Sequence, residues 1–258
     1  MALVIGTNMA SLNAQRHLSS SQSKMATAME RLATGLRANT GKDDAAGLAI
    51  GSRLSGQIRS GNQAVRNAND GISIAKAGDA VLAEMGNMLE RMRELATQKG
   101  DGALSTTDLA NIDTEMDAIG AELTAIEGAA MFGSNVLLGG LSIDFTVGIA
   151  STDIYTLTST AVVTGVSSAS TVENVDTAMD AVTTARAEFG AAMTALEARA
   201  NNTAALAEGL AAARSQIMDT DIAQETANMT KASVLQQAGI AVLAQANQAP
   251  NLVLSLLR

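Results

Sequence analysis

The hydrophobic residues of this chain recur mostly every three or four positions, which is the spacing of one face of an α-helix. The two longest runs extend over 44–99 and 172–217. The second run keeps the alternation for about six heptads, which indicates a coiled coil. Only Arg199 and Thr203 interrupt it with polar side chains. The pattern therefore predicts two long helices that can pack against each other.

Apolar residues also recur at helical spacing at both ends of the chain, but they are fewer at the N-terminal end than at the C-terminal end. A thin apolar stripe within 1–35 predicts a helix with a frayed start, and the turn residues of 35–42 predict a break after it. The last stretch, 221–258, is apolar on more than one face, and no acidic residue follows Glu225. Because such a helix needs partners, we expect the terminal helices to form a subunit interface. The candidate interface residues are Leu18, Met25, Leu32, Leu235, Ala238, Val242, Ala246, Val253, Leu256 and Leu257.

Side chains that can cap a helix stand where two of the predicted helices begin. Asp43 and Asp44 precede the first long run, and carboxylates satisfy the free N–H groups of a first turn. Thr106 or Thr107 can cap a shorter helix predicted over 105–127. We interpret these residues as caps, and not as carboxylate pairs for acid–base chemistry, because no candidate base stands beside them.

The period changes from helical to alternating in the middle of the chain. Residues 128–140 are typical of a loop. Apolar and polar residues then alternate over 141–147, which predicts a half-buried strand. The Thr- and Val-rich segment 154–165 predicts the second strand of a hairpin, so that 141–165 is the only β region expected.

The order of the predicted elements is close to a palindrome. If the long helices pack on each other, the chain folds back and both termini come to the same end. We therefore predict a mainly α fold: a long antiparallel α-helical coiled-coil rod with the N- and C-terminal helices paired at one end and a small β-hairpin at the other. The predicted domains are a discontinuous terminal-helix domain, 1–43 with 218–258, and a coiled-coil domain, 44–217, that includes the hairpin region 141–165.

Composition excludes several classes of function. The net charge of −9 argues against nucleic acid and anionic membranes as partners. The absence of cysteine excludes thiol chemistry and thiolate metal sites. His17 is the only histidine, and it lacks the neighbours that a metal site or a catalytic base needs. We therefore expect no enzyme activity and no cofactor. We also expect no membrane insertion, because no apolar run approaches the roughly 20 residues that span a bilayer.

Several long motifs resemble those of the bacterial flagellins. They are ASLNAQRHL near the start, RLATGLRANTGKDDAAGLAI at 31–50, QAVRNANDGISIA at 63–75, LERMRELATQ at 89–98, and AARSQIMDTDIAQETANMTKASVLQQAGIAVLAQANQAPNLVLSLLR at the end. The middle departs from the family pattern, because many flagellins carry large variable outer domains there and this chain has only a hairpin and loop. It resembles a minimal flagellin.

The resemblance implies a structural subunit of the bacterial flagellar filament, which self-assembles into a hollow helical tube for motility. Residues 1–40 and 222–258 would then line the inner tube, joined by spokes near 35–43 and 218–222 to an outer layer. Implied partners are further copies of the chain, the flagellar export apparatus, an export chaperone, the filament cap and hook-associated proteins. The implied location is extracellular, in the flagellar filament. The absence of a conventional secretory signal fits export through the flagellar export apparatus.

The resemblance also suggests a receptor contact. Family members bind the Toll-like receptor that senses flagellin, and Arg91, Leu95 and Glu115 match the positions involved. Without the resemblance, the arginines of this segment are expected to be a solvated face with pairs along the helix. Two alternatives remain open: a hook–filament junction protein, and a secreted ligand whose main role is receptor binding.

Overall fold

The computed structural model describes residues 7–160, 162 and 165–256, with side chains described as far as Gln248. The helices are α1 (Met9–Thr34), α2 (Gly41–Lys99), α3 (Thr106–Ala129), α4 (Val172–Met218) and α5 (Ile222–Leu256). The strands are β1 (Met131–Phe132), β2 (Asn135–Val136), β3 (Ser142–Thr146) and β4 (Ile154–Thr158). The mainly α fold is confirmed.

The chain forms two compact units. Unit 1 comprises Met1–Ser55 with Ala211–Arg258, and unit 2 comprises Gly56–Leu210. Helices α2 and α4 each contribute residues to both units. Unit 1 therefore contains both terminal helices, and unit 2 contains α3 and all four strands.

The start of α2 shows why the aspartates stand there. Asp44 has a non-helical backbone (φ −161°, ψ 91°), and its Oδ1 accepts a hydrogen bond of 2.8 Å from the Gly47 N–H. This bond lowers the pKa of Asp44 below its usual value, and the nearby charge of Arg37 acts in the same direction. Asp43 accepts from both the hydroxyl and the N–H of Thr40, and these bonds lower its pKa as well. Asp44 is thus the working N-cap of the long continuous part of α2.

The cap of α3 is not the predicted one. Ser105, not Thr106 or Thr107, precedes the helix in an extended conformation, and its hydroxyl accepts from the Asp108 N–H. The Asp108 carboxylate in turn accepts from the Ser105 N–H, which completes a capping box. The box lowers the pKa of Asp108, first through the Ser105 hydroxyl and then through its N–H.

Helices α2 and α4 run antiparallel within unit 2 and approach closely at glycines. A Cβ on Gly78 would lie 2.7 Å from the ring of Phe189, and a Cβ on Gly71 would lie 2.9 Å from Leu196. Phe189 and Leu196 are fully buried. The glycines therefore act as notches that receive the largest core side chains of α4. The remaining fully buried large side chains are Leu82, Met85, Leu89, Met92, Leu95, Met116, Leu123, Leu138, Leu157 and Val147.

The β3–β4 hairpin explains the polar interruptions in the α4 stripe. The Thr203 hydroxyl donates a buried hydrogen bond of 2.8 Å to the Val147 carbonyl. The Arg199 guanidinium lies over the Tyr155 ring, 5.3 Å from its centroid. From α2, the Asn67 amide donates to the Thr146 carbonyl at 2.9 Å. The two polar positions of α4 thus hold the hairpin against the helices.

Two details of the β region differ from prediction. The segment 128–140 is not wholly loop, because β1 and β2 pair antiparallel around Gly133, whose φ is 64°. Strands of two residues are too short for alternation to be visible in a sequence. The second hairpin strand ends at Thr158, and within the predicted region 141–165, residues 161, 163 and 164 lie outside the described residues.

Candidate assembly surface

Helices α1 and α5 pack antiparallel in unit 1, and three contacts fix their register. The Asn8 amide donates to the Ala246 carbonyl at 2.8 Å, and the Ser11 hydroxyl donates to Asn247 at 2.9 Å. Further along, the Leu18 side chain lies 3.5 Å from where a Cβ on Gly239 would stand. The absence of a side chain at Gly239 lets the two helices approach at this point.

The other end of the pair is held by an ion pair. Arg31 Nη1 donates to Glu225 Oε1 at 3.0 Å. The side chain of Glu225 is only 9% exposed and that of Arg31 is 28% exposed, so water screens this pair less than a surface pair. Glu225 is the last acidic residue of the chain. Its charge therefore has a structural partner in α1.

The segments that join the terminal helices to the long ones lie side by side. Gly35 ends α1 with φ 70°, and its carbonyl accepts from the Thr220 N–H at 2.9 Å. The Arg37 N–H donates to the Met218 carbonyl at 2.7 Å, and the Arg37 guanidinium bonds both the Ile217 carbonyl and Asp44. These bonds tie the two connecting segments together within unit 1.

One face of α5 is apolar and does not pack on α1. The residues of α5 that face α1 include Ala232, Gly239 and Ala246, which are small. On the neighbouring face, Val234, Leu235 and Val242 are 58%, 47% and 56% exposed. Ala238, which is also exposed, stands four residues after Val234, three after Leu235 and four before Val242, so the four side chains form one stripe. We name these four residues, Val234, Leu235, Ala238 and Val242, the α5 stripe.

Helix α1 adds exposed apolar side chains of its own. Met9, Leu12 and Met29 are 59%, 46% and 51% exposed. Met9 and Leu12 line a shallow open groove with Gln15, Arg16 and Ser19. Exposed large apolar side chains on both terminal helices indicate an interaction surface.

The candidate interface residues fall into three groups. Leu235, Ala238 and Val242 lie exposed on the α5 stripe. Ala246 is buried against α1, and Leu18, Met25 and Leu32 are half-buried in α1. The side chains of Val253 and Leu256, and the whole of Leu257, lie outside the described residues. Sequence reasoning did not separate the first group from the second, because both follow the same three–four spacing.

The candidate receptor residues lie in unit 2 and are not equivalent. Arg91 Nε and Nη2 donate to Glu115 at 3.1 and 3.0 Å, and Nη1 donates to Glu94 at 3.0 Å. The hydrogen bond to Glu94, followed by those to Glu115, raises the pKa of Arg91. Arg91 and Glu115 are exposed, whereas Leu95 is 2% exposed within the core. Leu95 packs in the core below the exposed Arg91 and Glu115. Its role as a direct receptor contact stays a prediction, and such a contact would require this part of the core to become exposed.

Other kinds of site find little support in the described parts of the chain. His17 is exposed on α1. Within residues 7–160, 162 and 165–256, no group of three or more His, Cys, Asp or Glu side chains is arranged to hold a metal ion. Among the same residues, no helix has both the length and the apolarity to cross a bilayer. The exposed apolar side chains of the terminal-helix pair make that pair the candidate site.

Comparison with known proteins identifies the family. The family model for the bacterial flagellin N-terminal helical region matches residues 5–142, and that for the C-terminal helical region matches residues 172–257. A flagellin of Halalkalibacterium halodurans is 35% identical over 99% of this chain and 100% of its own length. The flagellar filament 33 kDa core protein of Treponema phagedenis is 35% identical over the same shares of the two chains. A crystal structure of Bacillus cereus flagellin is 31% identical, with a TM-score of 0.48, and covers 54% of this chain and 88% of that one.

The chain belongs to the bacterial flagellin family, a family of structural proteins. It is a structural subunit of the flagellar filament, and it is of minimal size for the family. The two matched regions leave out 143–171, which contains most of the β3–β4 hairpin and the segment before α4.

Proposed function

We propose that this chain polymerises into the extracellular flagellar filament by burying the α5 stripe and the exposed apolar side chains of α1 against other copies. The observation that supports this is the α5 stripe itself, which is apolar, contiguous and unpaired by any described residue. In this assembly the terminal-helix domain, 1–43 with 218–258, forms the inner tube, and 44–217 forms the outer layer.

The energy available from the stripe is large enough to control assembly. Fully burying a Leu or Val side chain contributes about 1.5–3 kcal/mol. Leu235 and Val242 are each about half exposed, so that covering the rest contributes about 1 kcal/mol each. A subunit joins the polymer at a critical concentration that follows the free energy of addition. Losing about 2 kcal/mol therefore raises that concentration by about 30-fold.

The test compares the double variant Leu235→Ser/Val242→Ser with wild type. Purified subunits are seeded with sheared filaments, and the concentration left in the supernatant after sedimentation is measured. The control is Gln237→Ser, which changes an exposed side chain on another face of α5. We expect long filaments by electron microscopy for wild type and control, and an increase of about 30-fold in critical concentration for the double variant.

The outcomes separate the alternatives. An unchanged critical concentration in the double variant, with monomer helicity equal to wild type, would show that the α5 stripe is not buried on assembly. If wild-type subunits cap filaments of another flagellin but never elongate, the chain is a hook–filament junction protein. Circular dichroism of the monomers establishes that each variant is folded.

The remaining partners are proposed from family membership. The exposed α5 stripe is a suitable surface for an export chaperone, because shielding it would prevent premature assembly in the cell. The export apparatus, the filament cap and hook-associated proteins would act on the subunit before and after this step. A pull-down of the chaperone by wild type and by the double variant tests whether the stripe is shared. Equal capture by the two chains would assign the chaperone to another surface.

Receptor binding is a second candidate function, supported by one observation. Arg91 and Glu115 are exposed and adjacent, joined at 3.0 Å. We propose that they are the direct contacts with the flagellin-sensing Toll-like receptor and that this is a side property of the subunit. Unchanged receptor signalling by Arg91→Ala and Glu115→Ala, in monomers of normal helicity, would remove this assignment.

A further inference from the structure

Two Asp-Gly dipeptides occur in the chain, Asp70-Gly71 and Asp101-Gly102, and no Asn-Gly occurs. An Asp-Gly peptide can rearrange without an enzyme. The backbone nitrogen of the glycine attacks the aspartate side-chain carbonyl carbon, a C–N bond forms, and the carboxyl hydroxyl leaves as water with the amide proton. Water then opens the resulting succinimide ring at either carbonyl. Opening at the backbone carbonyl yields isoaspartate, in which the chain continues through the side-chain carbon, and the net change in mass is zero.

The rearrangement requires freedom of the glycine backbone. Its amide must leave any hydrogen bond and approach the carboxyl carbon, and glycine allows this approach because it carries no Cβ. An α-helix prevents it, because the helical N–H is bonded to the carbonyl four residues earlier and the backbone angles hold the amide away. Identical dipeptides can therefore differ in reactivity according to where the fold places them.

Asp101-Gly102 lies in the exposed turn between α2 and α3. Among the residues that the structure describes, no acceptor takes a hydrogen bond from the Gly102 N–H. A Cβ on Gly102 would meet nothing within 4 Å, so no side chain packs against this glycine. The Asp101 carbonyl of the same peptide accepts one long hydrogen bond, of 3.4 Å, from the Leu104 N–H. The Asp101 carboxylate accepts from the Ala103 N–H at 3.0 Å, which turns the side chain back over the Gly102 peptide. The electrophile and the nucleophile are thus neighbours.

The flanks of this turn are held more firmly than the turn itself. Lys99 Nζ donates to Asp113 in α3 at 2.5 Å and to the Ser168 carbonyl at 2.7 Å. The Ser168 N–H donates to Asp117 at 2.8 Å, and this bond lowers the pKa of Asp117. These bonds position the two helix ends, whereas the Gly102 N–H between them donates to no described acceptor.

Asp70-Gly71 has the same chemistry in the opposite environment. Both residues lie inside α2, and Gly71 is buried against the side chains of Leu196 and Phe145. Asp70 itself is exposed, as is Asp101, so water reaches both carboxylates. The two sites therefore differ in the backbone conformation and packing of the glycine, and not in the exposure of the aspartate.

We propose that Asp101-Gly102 is a site of spontaneous isoaspartate formation and that the fold protects Asp70-Gly71 from the same reaction. The product inserts a methylene into the backbone of the α2–α3 turn and removes the side-chain bond to Ala103. The reaction needs only water, so the proposal does not depend on the assembly function.

The experiment incubates the folded full-length chain in mildly acidic buffer and maps isoaspartate over time. Isoaspartyl methyltransferase labels the modified peptides, and loss of cleavage by an aspartate-specific protease locates each site. We expect label at Asp101 to accumulate at least about tenfold faster than at Asp70, since tenfold protection corresponds to only about 1.4 kcal/mol of local opening free energy.

Two controls make the result decisive. In denaturant both dipeptides should react at comparable rates, which shows that Asp70-Gly71 is protected by the helix and not by its neighbours in sequence. Asp101→Glu should abolish the native-state label, and Asp70→Glu should leave it unchanged. Equal labelling of the two sites in the folded chain would overturn the proposal. So would the absence of label at Asp101 in the folded chain when the unfolded chain acquires it.

Discussion

Two glycines of α2 provide a sharp test of the packing in unit 2, because alanine should stabilise the chain at one position and not at the other. Gly78 and Gly86 both lie in the helix interior and face α4. A Cβ on Gly86 would lie 3.9 Å from Val182, an ordinary van der Waals contact. A Cβ on Gly78 would lie 2.7 Å from the ring of Phe189, which is fully buried.

The magnitudes follow from two competing effects. Replacing a helical glycine by alanine stabilises a helix by about 1 kcal/mol. Overpacking a well-filled core costs about 1–3 kcal/mol. Gly86→Ala receives only the first effect, so it should stabilise the chain by up to about 1 kcal/mol. Gly78→Ala receives both, so it should unfold more easily than Gly86→Ala by about 1–3 kcal/mol.

The assay is urea unfolding of the monomer, followed by circular dichroism and by the near-ultraviolet signal of Tyr155 in unit 2. For a chain of this length, each kcal/mol also moves the melting temperature by about 2–4 °C. If Gly78→Ala proves as stabilising as Gly86→Ala, then the ring of Phe189 does not occupy the notch at Gly78 and the close approach of α2 and α4 is wrong.

Three further predictions concern single contacts. Glu225→Ala should destabilise the terminal-helix pair by about 1–3 kcal/mol, because it leaves the partly buried Arg31 without its carboxylate; hydrogen exchange of α1 measures this, and unchanged protection would count against it. Thr203→Val should lower the free energy of unfolding by a similar amount, about 1–3 kcal/mol, because it leaves the Val147 carbonyl without its hydrogen bond. Amide hydrogen exchange should become faster in the hairpin alone, and a uniform increase throughout unit 2 would contradict this. The folded pKa of Asp44 is lowered, so its contribution to stability is present above the unfolded value of about 3.9 and is lost as the pH falls through the folded value. Asp44→Asn should therefore flatten the acid limb of helicity against pH, and an unchanged limb would refute this role.

The positions of the helices could be predicted from the sequence because helical periodicity is a local property. The three–four spacing over 44–99 and 172–217 depends only on neighbouring residues, and α2 and α4 end within a few residues of the predicted limits. The hairpin was visible for the same reason, since alternation over 141–147 is local too. The β1–β2 ribbon was missed because two-residue strands carry no period.

The candidate site was only partly predictable. The sequence shows that α5 is apolar on more than one face, so it indicates an unpaired surface. It does not show which face packs on α1. Small residues decide this, because Ala232, Gly239 and Ala246 allow the helices to approach, and the larger side chains of Leu235 and Val242 are then left on the outside.

The sequence by itself therefore determined the helical elements, the apolar excess at the C-terminus and the membership of a family, all of which depend on residue order alone. Only the tertiary structure showed the roles of the residues that depart from these sequence patterns. Arg199 and Thr203 interrupt an apolar stripe because they hold a hairpin from another part of the chain. Leu95 matches a surface motif yet lies in the core. The physical reason is that burial and hydrogen bonding depend on residues far apart in sequence, whose proximity no local pattern records.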